Sequence, residues 1–208
     1  MMCQRLALEL GDRVAVIAPV AGTMPAALGT VTPPYAVSVL LIHGTRDRFA
    51  PYEGGRAHGP GRLVLLLGGV RRRASPGLSV RETADRWREI DRCNDAISGK
   101  SIAATESDPP GVDVGGWTGG QGGTAVERWT VAGGHTWPGG PANFAIGILG
   151  RTTGHFDAGD VIWQFMAEHF RAAASRRLQP DDSRQFWWNR AAQDADGKVM
   201  KRYEGPGR

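Results

Sequence analysis

Cysteine and long apolar runs are scarce in this sequence, and each scarcity excludes a class of protein. Cys3 and Cys93 are the only cysteines among its 208 residues, so at most one disulfide and no multi-cysteine zinc cluster can form. The longest apolar runs, near 37–42 and 63–67, fall far short of the ~20 residues of a membrane-spanning helix. We therefore expect no membrane span. No basic segment followed by an apolar stretch opens the chain, so no signal peptide is visible.

A large excess of one charge is also lacking, because the formal net charge is only +4. The arginines are scattered rather than gathered on one face, which argues against a nucleic-acid partner. Glycine, in contrast, is abundant: its 30 residues are about twice the usual share. No collagen-like repeat accompanies this glycine, so it indicates a globular protein rich in loops. With 41% hydrophobic and 22% charged residues, the chain is long enough for one domain with a substantial core.

Hydrophobic periodicity predicts strands and helices in alternation. We expect parallel, adjacent strands at 14–18, 37–42 and 125–131, and helices at 2–10, 79–92 and 158–174. The 37–42 run is apolar on both faces, as a parallel strand covered by helices on both sides must be. Ser79 and Glu82 form a capping-box pattern at the start of the second helix. The pattern predicts an α/β fold with a mostly parallel sheet and flanking helices.

Two stretches are predicted to lie outside the regular elements. The glycine-rich residues 98–123, ending GGWTGGQGG, are expected to form a flexible surface loop. After residue 174 the chain turns polar, so we divide it into a domain over 1–174 and a polar C-terminal tail over 175–208. The run 63–67 fits a strand and a short buried helix equally well.

An acid and a histidine follow two of the predicted strands. Asp47 comes shortly after Ile42 in the sequence HGTRDRF, and His135 comes after Val131 in AGGHTWPGG. Ligands of open α/β sheets bind beyond the carboxyl ends of the strands. The triad of α/β-hydrolases runs in the chain order serine, acid, histidine. Asp47 and His135 therefore fit the second and third places of such a triad.

The sequence then resembles a known family. The segments MMCQRLALELGDRVAVIAPVAGTMP, LLIHGTRDRFAPYEGG, GGHTWPGG and FDAGDVIWQF together resemble the polyhydroxybutyrate depolymerase and feruloyl-esterase-like branch of secreted α/β-hydrolases. The resemblance covers about residues 1–170 and implies a partial α/β-hydrolase fold without the N-terminal strands. It implies that Asp47 and His135 are catalytic. Trp137 is predicted to pack beside His135 and to shape the acyl or aryl pocket. The implied protein is an extracellular serine esterase of short-chain polyesters or feruloyl-type esters, without metal or organic cofactor.

The chain departs from that family at the nucleophile. The family's serine lies in a G-x-S-x-G-G elbow directly before the helix with which this sequence opens, and no serine here has a G-x-S-x-G context. The upstream loop that supplies one oxyanion donor is not in the sequence either. We therefore expect these residues to be the C-terminal portion of an esterase, inactive as written.

The candidate residues also have structural interpretations. Asp47 fits an Asx-turn, and His135 fits a loop histidine with no catalytic role. Trp137 fits core packing as well as a substrate pocket, and His43 is predicted to be a buried hydrogen-bonding residue beneath the acid loop. Whether Cys3 and Cys93 are paired stays open.

The function has alternatives too. The chain fits a non-catalytic fragment, or a polymer- or carbohydrate-binding module that uses Trp117, Trp187 and Trp188. The expected partners are an ester or polyester substrate and a second copy of the chain, since the lack of N-terminal strands leaves an open, apolar sheet edge.

Overall fold

The fold is an α/β arrangement of one sheet with flanking helices. The computed structural model describes residues 2–56, 76–140 and 146–174. The α-helices in these ranges are α1 (Met2–Glu9), α2 (Val80–Asp91), α3 (Ile146–Leu149) and α4 (Ala158–Ala174). The strands are β1 (Val16–Ile17), β2 (Ser38–Gly44), β3 (Asp95–Ile102), β4 (Val112–Thr118) and β5 (Val126–Val131), and a 3-10 turn spans Ala26–Leu28. The run 63–67 and the tail 175–208 lie outside the described residues, so the domain division stays a prediction.

The five strands form one mixed sheet in the order β1-β2-β5-β4-β3. The three strands that periodicity predicts are adjacent and parallel, with Val16 opposite Ser38 and Val39 opposite Val126. Strands β4 and β3 continue the sheet in antiparallel pairing. The prediction of a mostly parallel sheet is therefore wrong, because half of the strand pairs are antiparallel.

The prediction of a flexible loop over 98–123 is also wrong, because this segment contains most of β3 and all of β4. In this segment glycine permits close strand pairing rather than giving a flexible loop. A Cβ on Gly116 would overlap the carbonyl oxygen of Val126 and lie 2.9 Å from the Cα of Glu127. Glycine at this position thus lets the β4 backbone lie against β5, and the pairing orders the segment.

Hydrophobic cores lie on both faces of β2. Val39 and Leu41 belong to a core formed with α1 and α2, whereas Leu40 and Ile42 belong to a second core formed with α4. Because successive strand residues point to opposite faces, a strand covered on both sides needs apolar residues at every position. This confirms the interpretation of the 37–42 run.

Helix α2 begins with the predicted capping box. The Ser79 hydroxyl accepts the Glu82 amide hydrogen at 3.0 Å, and the Glu82 carboxylate accepts that of Ser79 at 2.8 Å. Buried Trp87 donates its indole hydrogen to the Gln4 side-chain oxygen at 2.6 Å, which joins α2 to α1. Cys3 and Cys93 are both free thiols.

None of the helices in the described ranges combines the length and apolarity needed to cross a bilayer.

Candidate active site

Asp47 lies in the turn that follows β2, and its carboxylate is fixed by the backbone around it. The residue is only 3% exposed. Its Oδ1 accepts hydrogen bonds from the amides of Phe49 and Ala50 at 2.8 and 2.9 Å. This is the Asx-turn geometry that the sequence allowed, and it leaves Oδ2 free for a further partner.

That partner is His135, which follows β5. His135 Nδ1 lies 2.8 Å from Asp47 Oδ2, inside the ~3.5 Å expected for a catalytic acid–histidine pair. Because the carboxylate accepts, Nδ1 carries the hydrogen and Nε2 keeps a free lone pair. The His135 ring is partly exposed while the Asp47 side chain is fully buried. The imidazole of His135 can therefore act as a base towards a molecule in solution, while the buried Asp47 carboxylate fixes its orientation.

Parallel pairing of β2 with β5 places the two loops side by side. Gly44, the last residue of β2, lies opposite Val131, the last residue of β5. The Thr45 amide donates to Val131 O and the Arg46 amide to Gly133 O, both at 2.8 Å. A Cβ on Gly44 would lie 2.5 Å from Gly133 O, so the glycine allows this close approach.

The end of α3 and the residues that follow it support the histidine loop from its other side. The His135 amide donates to Leu149 O at 2.6 Å, and the Gly134 amide donates to Arg151 O at 3.0 Å. A Cβ on Gly134 would overlap Leu149 O. The two glycines before His135 thus let three backbone segments meet at this sheet edge.

His43 has the structural role that the sequence predicts. It is buried, and its Nε2 donates to Ala50 O at 2.8 Å and lies 3.5 Å from Asp47 Oδ2. Burial lowers the pKa of the imidazole, although the Ala50 carbonyl and the Asp47 charge act in the opposite direction. A neutral His43 with its hydrogen on Nε2 stabilises the acid loop.

Two aromatic residues accompany His135, one in contact with its ring and the other two positions further along the chain. The Phe49 ring contacts the His135 ring with centroids 5.2 Å apart and planes tilted by 39°. Trp137 is 51% exposed, so its interpretation as a core residue is wrong. Its carbonyl accepts the Thr152 hydroxyl at 3.0 Å, which fixes the backbone that carries the indole. Sequence reasoning missed Phe49, whose one signal is its place two residues after Asp47.

Trp117 is not the free surface platform that a binding module would need. It lies half-buried in β4 and packs against the core of α1 and α2. The Arg88 guanidinium covers its ring at 4.9 Å from the centroid. Trp187 and Trp188 lie outside the described residues.

A hydroxyl or thiol hydrogen-bonded to His135 would mark a candidate nucleophile. In that part, no serine, threonine or cysteine side chain hydrogen-bonds to His135. Ser38 is buried in β2, Ser79 caps α2, and Ser98 and Ser101 lie in β3. Within the same ranges, no three His, Cys, Asp or Glu side chains converge as metal ligands.

Comparison with known proteins gives one informative similarity. No protein-family model matches the chain. The chain is 28% identical over 181 residues to the Nocardia uniformis subsp. tsuyamanensis protein named "Putative esterase NocK". That relative is named as an esterase. The alignment covers 80% of this chain and 47% of the relative, so the chain spans about half the length of the curated relative that it matches.

Proposed function

We propose that Asp47 and His135 are the acid and the base of a serine-esterase centre. The observation that carries the proposal is the 2.8 Å contact between His135 Nδ1 and a buried carboxylate whose other oxygen is fixed by two amides. Its position at the carboxyl ends of adjacent parallel strands and the esterase-named relative support the same centre.

Each residue has a distinct task in the reaction. His135 Nε2 accepts the proton of the attacking hydroxyl and later delivers it to the leaving alcohol. Asp47 holds the Nδ1–H tautomer and stabilises the imidazolium ion. The acyl group passes to the serine as a covalent ester, and water then releases the acid.

The serine itself belongs, in this proposal, to polypeptide outside these 208 residues. The sequence has no G-x-S-x-G run, and the relative is about twice as long as the part that aligns. The amide that follows the serine and the upstream donor of the oxyanion hole belong to that same missing part. The 208-residue chain alone is therefore proposed to hydrolyse esters no faster than background.

The proposed substrates are short-chain hydroxyalkanoate polyesters or feruloyl-type esters of the extracellular space. Phe49 against His135 and the exposed Trp137 give this edge an aromatic border suited to an acyl or aryl group.

The experiment compares two polypeptides in the release of p-nitrophenol from a butyrate ester at pH 8. One is the 208-residue chain, and the other extends it upstream through an in-frame G-x-S-x-G-G run. We expect turnover only from the longer polypeptide, with a loss of about 10⁴-fold in its Asp47→Asn variant and about 10⁶-fold in its His135→Ala variant.

A second Asp–His pair provides the matched control. Asp108 Oδ2 and His155 Nε2 lie 3.6 Å apart, and among the described residues neither side chain hydrogen-bonds to Asp47 or His135. Asp108→Asn and His155→Ala should retain turnover within about threefold. Full activity in His135→Ala, or serine-esterase turnover by the 208-residue chain itself, would refute the proposed centre.

A further inference from the structure

A second feature of the same sheet edge is a cavity of about 270 Å³. Its walls come from the turn after β2, the loop after β5 and the segment 147–151. The volume lies just below the ~300 Å³ at which small-molecule pockets begin, so it suits one small group rather than a whole polymer segment.

The charges on its walls are all of one sign. Arg46, Arg48 and Arg151 line the cavity, and no acidic residue is among the described residues that line it. Across the described ranges, none of these three guanidinium groups makes a hydrogen bond or an ion pair. All three residues are exposed, and a bound anion would meet no carboxylate among the described residues of the cavity walls.

The nearby carboxylate of Asp47 does not serve as their counter-ion. Its Oδ1 is occupied by the amides of Phe49 and Ala50, and its Oδ2 by His135. Its side chain is fully buried within the turn. The positive charge of the cavity is therefore left for a ligand.

The remaining lining favours a ligand that reaches the guanidinium groups directly. Gly133, Gly134, Gly147 and Gly150 contribute to the walls, so side-chain bulk is absent from much of the surface. Arginine binds carboxylates and phosphates through two parallel hydrogen bonds, so the three guanidinium groups supply the donors that an oxyanion needs.

The cavity also lies directly beside the acid–histidine pair. Arg46 and Arg48 are the two neighbours of Asp47 in the chain, and Gly134 directly precedes His135. Asp47 and His135 are not among the described residues that line the cavity, so the substrate assignment requires that a bound molecule extend from the cavity to the His135 ring.

We propose that this cavity binds a carboxylate of the substrate, and that the substrate class is an ester whose acyl or alcohol part ends in a free carboxylate. The substrate assignment rests on the esterase centre proposed above, whereas the binding of the carboxylate does not. A hydroxy-acid oligomer with a free acid end has this chemistry.

The test measures binding to the 208-residue chain by calorimetric titration at low salt. The probe is monomethyl succinate, which carries an ester and a carboxylate, and dimethyl succinate is the neutral comparison. We expect saturable binding of the monoester only. Arg46→Gln, Arg48→Gln and Arg151→Gln should each weaken it about tenfold, whereas Arg81→Gln, an exposed arginine on α2, should leave it unchanged.

Three results would overturn the proposal: no saturable binding of the monoester, equal loss in Arg81→Gln, or tighter arginine-dependent binding of inorganic phosphate. A thermal melt of each variant checks that the fold is intact. Butyrate-ester turnover by the longer polypeptide reports on the esterase centre separately. Carboxylate binding without that turnover would refute the proposed function and retain the anion site.

Discussion

At the scale of single residues, Asp91 stands out because its carboxyl group is buried and only one of its two oxygens has a hydrogen-bond partner among the described residues. Its Oδ1 accepts the Val37 amide hydrogen at 3.0 Å, while within the described residues its Oδ2 is buried without a partner. Burial raises the pKa of Asp91 to about 7, although the Val37 hydrogen bond acts in the opposite direction. The folded protein therefore favours the neutral acid.

This residue predicts how stability depends on pH. The pKa of Asp91 is higher in the folded state than in the unfolded chain. Between about pH 4 and pH 7 the folded state therefore keeps a proton on Asp91 that the unfolded chain releases. The contribution of Asp91 to stability is complete below pH 4 and is lost as the pH rises through 7, by on the order of 4 kcal/mol. Asp91→Asn should flatten the decline in the free energy of unfolding between pH 5 and 8, measured with urea.

The control for this experiment lies on the same helix. Asp85→Asn changes a half-buried carboxylate of α2 and should leave the slope unchanged. An equally steep decline in Asp91→Asn would show that Asp91 does not carry the effect.

At the scale of elements, the ends of β2 and β5 depend on a glycine for their approach. A Cβ on Gly44 would meet the carbonyl oxygens of Gly133 and Gly134. Gly44→Ala should therefore lower the free energy of unfolding by about 1–3 kcal/mol, as measured in urea, because the strand-end loops must separate.

Gly115→Ala is the matched control for the glycine prediction. Gly115 lies in β4, and a Cβ there would meet no atom within 4 Å. This variant should stay within about 0.5 kcal/mol of the original protein. Equal stability of Gly44→Ala and Gly115→Ala would contradict the close approach.

The elements also show which parts of the fold the sequence could predict. The two-faced β2 and the capped α2 were predictable because their signals lie within a few residues. Strands β3 and β4 were missed because pairing with neighbouring strands makes these segments regular, and a glycine-rich composition does not reveal that pairing.

The candidate site also has a part that the sequence could predict and a part that it could not. The contact between Asp47 and His135 and the burial of His43 were predictable from strand-end position and from family resemblance, while the catalytic roles stay a proposal. The arginine cavity was not, because Arg151 reaches it from a segment far from Arg46 and Arg48 in the sequence. Only the folded backbone brings these three residues together.

At the scale of the whole molecule, β1 is an edge strand beside an apolar groove of about 470 Å³. Val14, Val16 and Met166 are among the residues that line it. Trp163 and Phe170 also line it and are 73% and 65% exposed. Among the described strands, β1 has a neighbour on one side only, namely β2. An edge strand next to exposed apolar side chains favours association, and we propose that a second copy covers this edge.

The association is measured by sedimentation over a range of protein concentrations. We expect the 208-residue chain to associate, and Trp163→Lys with Phe170→Lys to shift it towards monomer. Val31→Lys, which changes another exposed apolar residue outside the groove, should not. A monodisperse monomer at every concentration would contradict the open-edge account.

The most direct test of the Asp47–His135 pair is the ¹⁵N spectrum of the histidine rings in the 208-residue chain at pH 8. The hydrogen bonds predict opposite tautomers, with the hydrogen on Nδ1 in His135 and on Nε2 in His43. Asp47→Asn should disturb the His135 tautomer, because its carboxylate acceptor is lost. The account predicts the Nδ1–H signal for His135 and its change in that variant. An Nε2–H tautomer of His135 that is the same in the original chain and in Asp47→Asn would contradict the account.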